Sequence, residues 1–465
     1  MNGFILPIIP SEITVHLGAS SSNAENITLP FDEYIKNVAS SEIYPTWPRE
    51  ALKANILAQT SFALNRIYTE YYRSRGYDFD ITSTTSQDQS FVKGREYFEN
   101  VSEIVDELFG DYIARTDSVS PLFAQYCNGT TTICDGLSQW GSSYLAEDGL
   151  SAIEILKSYY GNDIEIRSAE IGAPFESYPG IPLSLGSGGD DVRLLAIRLN
   201  RISTNFPSIP KIYPIDGIFD SSVRDAVIEF QKAFGLTPDG IVGKATWYKI
   251  ISTYTAVKKL SELIAENLTF DEVSKQFEED LRLGDSGKGV DLVQYYLEVV
   301  SSFDSTVSYP PLDSYFGKST EDSVKSFQTT YGLPVTGIVD LATYEKLFDA
   351  YASSLASLPE SVFSDRPLPF PGIVLREGSS GEDVLILNDY LRVVNSALGL
   401  YSSVPETDYF GTDTARAVRE LQGYLGLNES GAVTPITWDR LADLFGDITA
   451  GYTASDDQYP GEVIG

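Results

Sequence analysis

The chain has 465 residues, a length that predicts three or four domains, and its 42% hydrophobic and 21% charged residues are the balance of an ordinary soluble globular protein. A formal net charge of −33 excludes a nucleic-acid binder, which needs a basic surface to meet phosphates. No apolar run reaches the length of a membrane span, so no membrane span is expected.

Residues 1–10, M-N-G-F-I-L-P-I-I-P, have neither a basic leading segment nor a long apolar core. A secretory signal is therefore not expected, and export would follow mother-cell synthesis, lysis or loading onto a particle. The alternation Ile13, Val15, Leu17 predicts a strand, followed by a polar turn from Ser20 to Asn26. Phe31 to Val38 predicts a short helix leading into an aromatic, proline-rich turn that carries Glu42.

Pro48 suits the first turn of a helix, where its missing N–H leaves no bond unmade, and Glu50 then sits near the positive end of the helix dipole. Leu52, Ile56, Leu57, Phe62, Leu64, Ile67 and Tyr71 recur at helical spacing and predict one buried face. Glu42 has Ile43, Tyr44 and Trp47 for neighbours, and a carboxyl desolvated among such groups gains the raised pKa that a general acid needs. The competing reading is a solvated turn carboxylate.

Further on, Asp88 and Gln89 open a turn, D-Q-S-F-V-K-G, that either lines a cleft or only shapes the loop. Residues 95–115 predict a helix with Val101, Ile104, Val105, Leu108 and Ile113 on one side, and Pro121 to Tyr126 a buried strand. Ser138, Gln139, Trp140 and Gly141 then fall on a loop, where Trp140 either stacks a sugar or anchors a helix start. Cys127 and Cys134 are the two cysteines, open to a local disulfide or to two reduced thiols. A zinc site wants about four ligands and the single histidine, His16, is far away in sequence, so neither metal nor other cofactor is expected.

A proline-rich linker spans residues 171–182, and after it one pattern occurs three times. Each repeat opens on a glycine turn (Leu185-Gly186, Leu283-Gly284, Glu377-Gly378), then a helix with apolar positions at i, i+3 and i+7. A turn containing Phe219, Phe316 or Phe410 follows, then a helix marked Phe230-Gln231, Phe327-Gln328 or Leu421-Gln422. A glycine turn and a last helix beginning near Trp247, Tyr344 or Trp438 close the repeat. The three phenylalanines are expected in the core. Residues 254–280 predict a long connecting helix, 351–372 a proline-rich joint, and 448–465 an acidic tail.

Two stretches resemble the stage II sporulation protein D and amidase-enhancer (SpoIID/LytB) family. They are Glu42 to Ala63, E-I-Y-P-T-W-P-R-E-A-L-K-A-N-I-L-A-Q-T-S-F-A, and Gly136 to Ala146, G-L-S-Q-W-G-S-S-Y-L-A, followed by I-L-K-S-Y-Y-G. The repeats resemble the peptidoglycan-binding domain 1 family, through D-G-I-F-D, F-Q and D-G-I-V-G-K-A-T-W and their counterparts. The resemblances imply an α+β domain over residues 1–175, followed by three small, mainly α three-helix modules at 181–253, 281–350 and 373–447. They also imply a cell-wall or spore-envelope protein whose partner is peptidoglycan glycan. Some members of the first family are lytic transglycosylases acting on denuded strands. That implies Glu42 as acid and base, with Trp47, Lys53, Gln89, Ser138, Gln139 and Trp140 around the substrate. In the repeats the polar candidates for wall contact are Asp216, Gln231, Asp313, Gln328 and Gln422, each with a structural hydrogen bond as its competing role. The chain departs from the first family at Thr60, where an Arg is usual, and at Gln125 to Gly129, where a His-Ser-rich segment is usual. An inactive fold that only grips the wall, alone or as part of a spore-surface or phage-like particle, is the alternative.

Overall fold

The computed structural model describes residues 7–173, 176–266, 279–358, 370–401 and 403–449, with Leu268, Glu272 and Phe277. The acidic tail and most of the proline-rich joint lie outside the described residues. The contacts divide the chain into two compact units. One takes in the chain up to Pro182 with Ile197–Ile209 and Val242–Lys275; the other holds Leu183–Ala196, Pro210–Ile241 and the chain from Gln276 on.

The first unit is α+β. Its elements run β1 (Ile9–Pro10), β2 (Glu12–His16), β3 (Asn26–Pro30), α1 (Phe31–Glu42), α2 (Arg49–Tyr68), β4 (Ile81–Thr82), α3 (Glu99–Leu108), β5 (Asp111–Arg115), β6 (Tyr126–Cys127), β7 (Leu137–Ser138), α4 (Gln139–Glu147), α5 (Ala152–Tyr160), β8 (Ile164–Ser168) and β9 (Ile171–Gly172). The strands pair in small groups: β3-β2-β4, with β2 antiparallel to β3 and parallel to β4; β5 antiparallel to β8; and the short parallel pairs β1-β9 and β6-β7.

Helix α2 is the axis of this unit. Every residue from Ala51 to Arg66 except Lys53 is buried, so the helix is enclosed on all sides and not on one face as its spacing predicts. Its apolar residues enter two cores. Leu52, Ile56 and Phe62 pack with α1, β2 and α3, while Ala54, Leu57 and Ala58 pack with β5 and α5. Several polar residues on it reach neighbouring elements. Asn55 Nδ2 donates to Ser142 Oγ of α4 at 2.7 Å, Ser61 Oγ accepts from Ile113 N of β5 at 2.8 Å, and Asn65 Nδ2 donates to Pro121 O at 2.9 Å. Arg66 is the buried cation: its Nε donates to Asp88 Oδ1 at 2.8 Å and its guanidinium lies 3.8 Å from the centre of the Tyr71 ring. Asp88 is completed by Tyr72 Oη at 2.5 Å, Thr82 N at 3.0 Å and Thr82 Oγ1 at 2.7 Å.

Several boundaries differ from those expected. Helix α1 runs four residues further and ends on Glu42 itself, and β3 replaces the end of the expected polar turn. The expected helix over 95–115 stops at Leu108. Gly110, at φ 116°, turns the chain, and Ile113 lies in β5 opposite Ile166. Pro121 to Tyr126 is mostly irregular, with Pro121 bridging Ala114 and only Tyr126–Cys127 in a strand.

The repeat helices are α6 (Asp190–Asn205), α7 (Ser221–Ala233), α8 (Lys244–Val257), α9 (Lys288–Phe303), α10 (Lys318–Thr330), α11 (Leu341–Ala356), α12 (Glu382–Leu398), α13 (Thr412–Tyr424) and α14 (Pro435–Thr449). Phe219, Phe316 and Phe410 are fully buried, as their place in the repeat predicts. Helix α8 belongs to the first unit, where Trp247 Nε1 donates to Ser177 Oγ at 2.9 Å. The expected long helix over 254–280 is not formed across its described part. Lys259, at φ 54°, takes the left-handed conformation, and Leu260 N bonds Thr255 O, which closes α8 in a Schellman turn. Most of 267–278 lies outside the described residues. No described helix is long and apolar enough to cross a membrane.

Arg66→Met, which leaves Asp88 charged and buried without its cation, is expected to lower stability by about 3–5 kcal/mol. Arg49→Met, which breaks a half-exposed pair with Glu107, is expected to cost less than about 1 kcal/mol. Chemical denaturation of the two variants beside the wild type measures both.

Candidate functional site

Glu42 closes α1 and is partly buried as a residue. Three uncharged donors hold it. Ser90 N reaches Oε1 at 2.7 Å, Gln59 Nε2 of α2 reaches Oε2 at 2.9 Å, and the Tyr126 hydroxyl bonds the same group. Burial lifts the Glu42 pKa from the usual carboxylate range to about 7, and the bonds from Tyr126, Ser90 and Gln59 hold it back from rising further. Among the described residues no Lys or Arg forms an ion pair with it. Thr60, where the resemblance expects an Arg, is a buried residue of α2.

The donors are set by a floor beneath the carboxylate. Gln89 is fully buried; its Oε1 accepts from Tyr34 Oη at 2.9 Å, and its Nε2 donates to Gln59 O and to Tyr126 Oη, each at 3.0 Å. Gln89 thus orients two of the groups that bond Glu42 without facing a cleft itself. Tyr126 is brought in by pairing of β6 with β7, Tyr126 opposite Leu137 and Cys127 opposite Ser138. The loop between these strands is closed by a Cys127–Cys134 disulfide, so the reading as two free thiols does not hold.

Beside Glu42 stands an aromatic cluster. Tyr44 and Trp47, two and five residues after it, meet Trp140 with ring centres 5.6 Å and 5.1 Å away, and Tyr144 lies 6.3 Å beyond Trp140 on α4. Tyr44 and Tyr144 are more than half exposed, which leaves aromatic faces open to solvent. Trp140 is at the helix start and not on a loop: Ser138 caps α4, its Oγ accepting from Gly141 N at 3.0 Å. Gln139 is buried at the first position of that helix. Lys53 points away from this group, its Nζ donating to Glu107 Oε1 at 2.6 Å.

Of the expected residues, then, Trp47 and Trp140 share one aromatic cluster and Glu42 ends the helix five residues before Trp47, Gln89 bonds Tyr126 and the Gln59 carbonyl, Ser138 and Gln139 build the start of the helix that carries Trp140, and Lys53 bonds Glu107. Gln59, Ser90, Tyr126 and Tyr144 were not singled out, and Tyr44 only as a sequence neighbour of Glu42. Gln59 adjoins Thr60 and Tyr126 lies within Gln125 to Gly129, the two places where the chain departs from the family pattern, and that was the available signal. His16 bonds Asn26 Oδ1 at 2.7 Å and Ser22 Oγ at 3.1 Å. Among the described residues no group of three or more His, Cys, Asp or Glu is placed to hold a metal ion.

In the repeats the three glutamine candidates are buried. Gln328 Oε1 accepts from Thr336 N at 3.0 Å and Gly337 N at 2.9 Å, and its Nε2 donates to Ile338 O at 2.9 Å. Gln231 does the same for Gly240 N and Ile241 O, and Gln422 for Gly431 N and Ala432 O. The glutamine after each Phe or Leu therefore staples the glycine turn that follows. Asp313 Oδ1 accepts from Gln294 Nε2 and Tyr315 N, and Asp216 Oδ1 from Ile218 N. Burial lifts Asp216 to about 6. All five side chains bond groups of the repeat turns, the glutamines from buried positions and Asp313 from an exposed one.

Residues 20–115 match the Stage II sporulation protein family, and residues 188–250, 286–347 and 380–441 match the peptidoglycan binding domain family. N-acetylmuramoyl-L-alanine amidase CwlL of Bacillus licheniformis is 26% identical over 334 residues, 71% of this chain and 89% of the relative. Zinc D-Ala-D-Ala carboxypeptidase of Streptomyces albus G is 42% identical over 84 residues, 18% of this chain and 31% of the relative. N-acetylmuramoyl-L-alanine amidase CwlM of Mycobacterium tuberculosis is 30% identical over 131 residues, 28% of this chain and 27% of the relative. The chain spans less than a third of the length of the last two.

Tyr126→Phe removes a donor from the charged form of Glu42 and is expected to raise its pKa further, on the order of one unit, in a carboxyl NMR titration. Gln328→Ala leaves Gly337 N buried without its acceptor and is expected to cost about 1–3 kcal/mol by thermal or chemical denaturation.

The match of one segment to the sporulation family and of three successive segments to the wall-binding family identifies the chain as a cell-wall protein that joins a Stage II sporulation protein domain to three peptidoglycan-binding repeats.

Proposed function

We propose that the chain is a lytic transglycosylase of peptidoglycan glycan strands, with Glu42 as the single acid and base. The observation that carries this reading is the setting of Glu42: a carboxyl lifted to about 7 by burial, held by three neutral donors, two residues before Tyr44 and five before Trp47 of the aromatic cluster. Near neutral pH such a group is half protonated, which is the condition for giving a proton and taking one back within a cycle. Glu42 would protonate the glycosidic oxygen as the C–O bond breaks. It would then accept the proton of the sugar's own C6 hydroxyl as that oxygen closes on C1 to a 1,6-anhydro ring. The nucleophile is already part of the substrate, so proximity takes the place of the second carboxylate that a hydrolase requires. The faces of Tyr44, Trp47, Trp140 and Tyr144 suit stacking against sugar rings. Gln59 Oε1, buried without a partner among the described residues, would accept from protonated Glu42 once that amide turns over.

A second reading rests on the same site. The donors around Glu42 are all neutral and Thr60 replaces the Arg of the resemblance, so a domain that grips glycan without cutting it fits the cation-poor surroundings. The amidase and carboxypeptidase activities in the relatives' names belong to those proteins.

Denuded glycan strands incubated with wild type are expected to release 1,6-anhydro-ended fragments by mass spectrometry, and Glu42→Gln to lower the rate by about 10²–10⁴-fold. The acid step needs the protonated form, so kcat/KM is expected to fall as pH rises through about 7. Reducing-end products would mean hydrolysis. No products, with retained pull-down on sacculi, would leave the gripping role.

A further inference from the structure

The first unit contains a cavity of about 570 Å³ away from the residues that surround Glu42. It is lined by the turn after α2 (Arg73, Ser74, Gly76, Tyr77, Asp78), by Glu176 and by the start of α8 (Lys244, Ala245, Tyr248). Its walls carry two cations, two carboxylates and two tyrosines, which is unlike the neutral donors and aromatic faces around Glu42.

The charges are held in place from behind. Arg73 Nε donates to Asp80 Oδ1 at 2.6 Å, and Asp80 Oδ2 accepts from Thr14 N of β2 at 2.8 Å. The guanidinium is thus braced through its Nε, while its two terminal nitrogens make no hydrogen bond among the described residues. That is the half of the fork that takes a carboxylate bidentately. Glu176 Oε1 accepts from both Lys244 Nζ at 2.7 Å and Tyr248 Oη at 2.8 Å, so its second oxygen is open. Asp78 is fixed by Asn26 Nδ2 at 2.6 Å through Oδ1, again with one oxygen open. Tyr77 is well exposed beside them, and Tyr248 is nearly buried.

We propose that this cavity binds a short peptide bearing both free carboxylate and free ammonium groups, the chemistry of the peptide stems of the wall. A carboxylate of the peptide pairs with the outer edge of Arg73 and with Lys244, and an ammonium group pairs with the open oxygens of Asp78 and Glu176. A peptide-free glycan has no ammonium for that pair of acids. Because the binding groups are already positioned, little ordering is lost on binding. The choice of wall peptide rests on the wall-protein assignment, but not on any chemistry at Glu42.

The test is isothermal titration calorimetry of the full chain with the tripeptide L-Ala-γ-D-Glu-meso-diaminopimelate, and with a denuded glycan fragment as comparison. Wild type is expected to bind the tripeptide, more weakly as salt is raised. Arg73→Gln is expected to weaken binding at least tenfold, with Arg73→Lys between the two because the fork is lost and the charge kept. Lys244→Ala, at an exposed helix start, is expected to weaken it at least threefold with an unchanged melting temperature, which covers the case of an unstable Arg73 variant. Glu42→Gln is expected to bind the tripeptide as wild type does. Absent tripeptide binding by folded wild type overturns the proposal, as do equal affinities across the Arg73 and Lys244 variants or loss of tripeptide binding in Glu42→Gln. Pull-down on sacculi run alongside separates the cases. Retained pull-down without tripeptide binding refutes this site alone, and loss of both refutes the wall assignment as well.

Discussion

The buried pair of Arg66 and Asp88 is the contact on which the candidate site depends. Asp88 sits immediately before Gln89 and Ser90, and its four bonds, to Arg66, Tyr72 and Thr82, pin that loop against α2 and β4. Only from there can Ser90 offer its N–H to Glu42 while Gln89 reaches Gln59 and Tyr126. An ion pair this deep contributes little net stability, because desolvation offsets most of the attraction. Its value lies in geometry: with both oxygens of Asp88 engaged, the loop is pinned in one place.

The same economy of roles runs through the first unit. Helix α2 is enclosed on all sides, so each of its polar residues must find a partner, and those partners are the elements that carry the site: α4 through Asn55, β5 through Ser61, the Glu42 carboxylate through Gln59. The outcome is a carboxyl whose charge is disfavoured by burial and supported by neutral dipoles, with no cation among the described residues to pull its pKa down. Such a balance leaves a group near 7, and it also means that a change in any one donor shifts the chemistry.

The repeats teach a different lesson about motifs. The glutamine that follows Phe230, Phe327 and Leu421 recurs because one amide can satisfy a turn N–H and a carbonyl together, and not because it reaches for the wall. Recurrence of a polar residue in a small module is as readily explained by turn geometry as by a ligand. Of the charged residues that line the cavity of the first unit, Arg73, Asp78 and Glu176 belong to no repeated motif, and Lys244 falls in the closing motif of the first repeat only. They meet through folding from positions scattered over 170 residues of sequence, and no spacing rule points to them.

By itself the sequence determined the domain order, the three helical modules, the buried phenylalanines and the carboxyl at Glu42, because hydrophobic periodicity and paired local motifs are written in neighbouring residues. Tertiary structure alone decided what surrounds that carboxyl. Tyr126 arrives through a strand pair, Gln59 from the far side of a buried helix, and Ser90 through an ion pair 22 residues apart in the chain. It also decided that Ile113 is in a strand and that α8 ends at a left-handed lysine, since pairing with β8 and a backbone turn overrode the local helical pattern. A pKa is set by burial and by partners brought from afar, and neither is a property of a residue's neighbours in sequence.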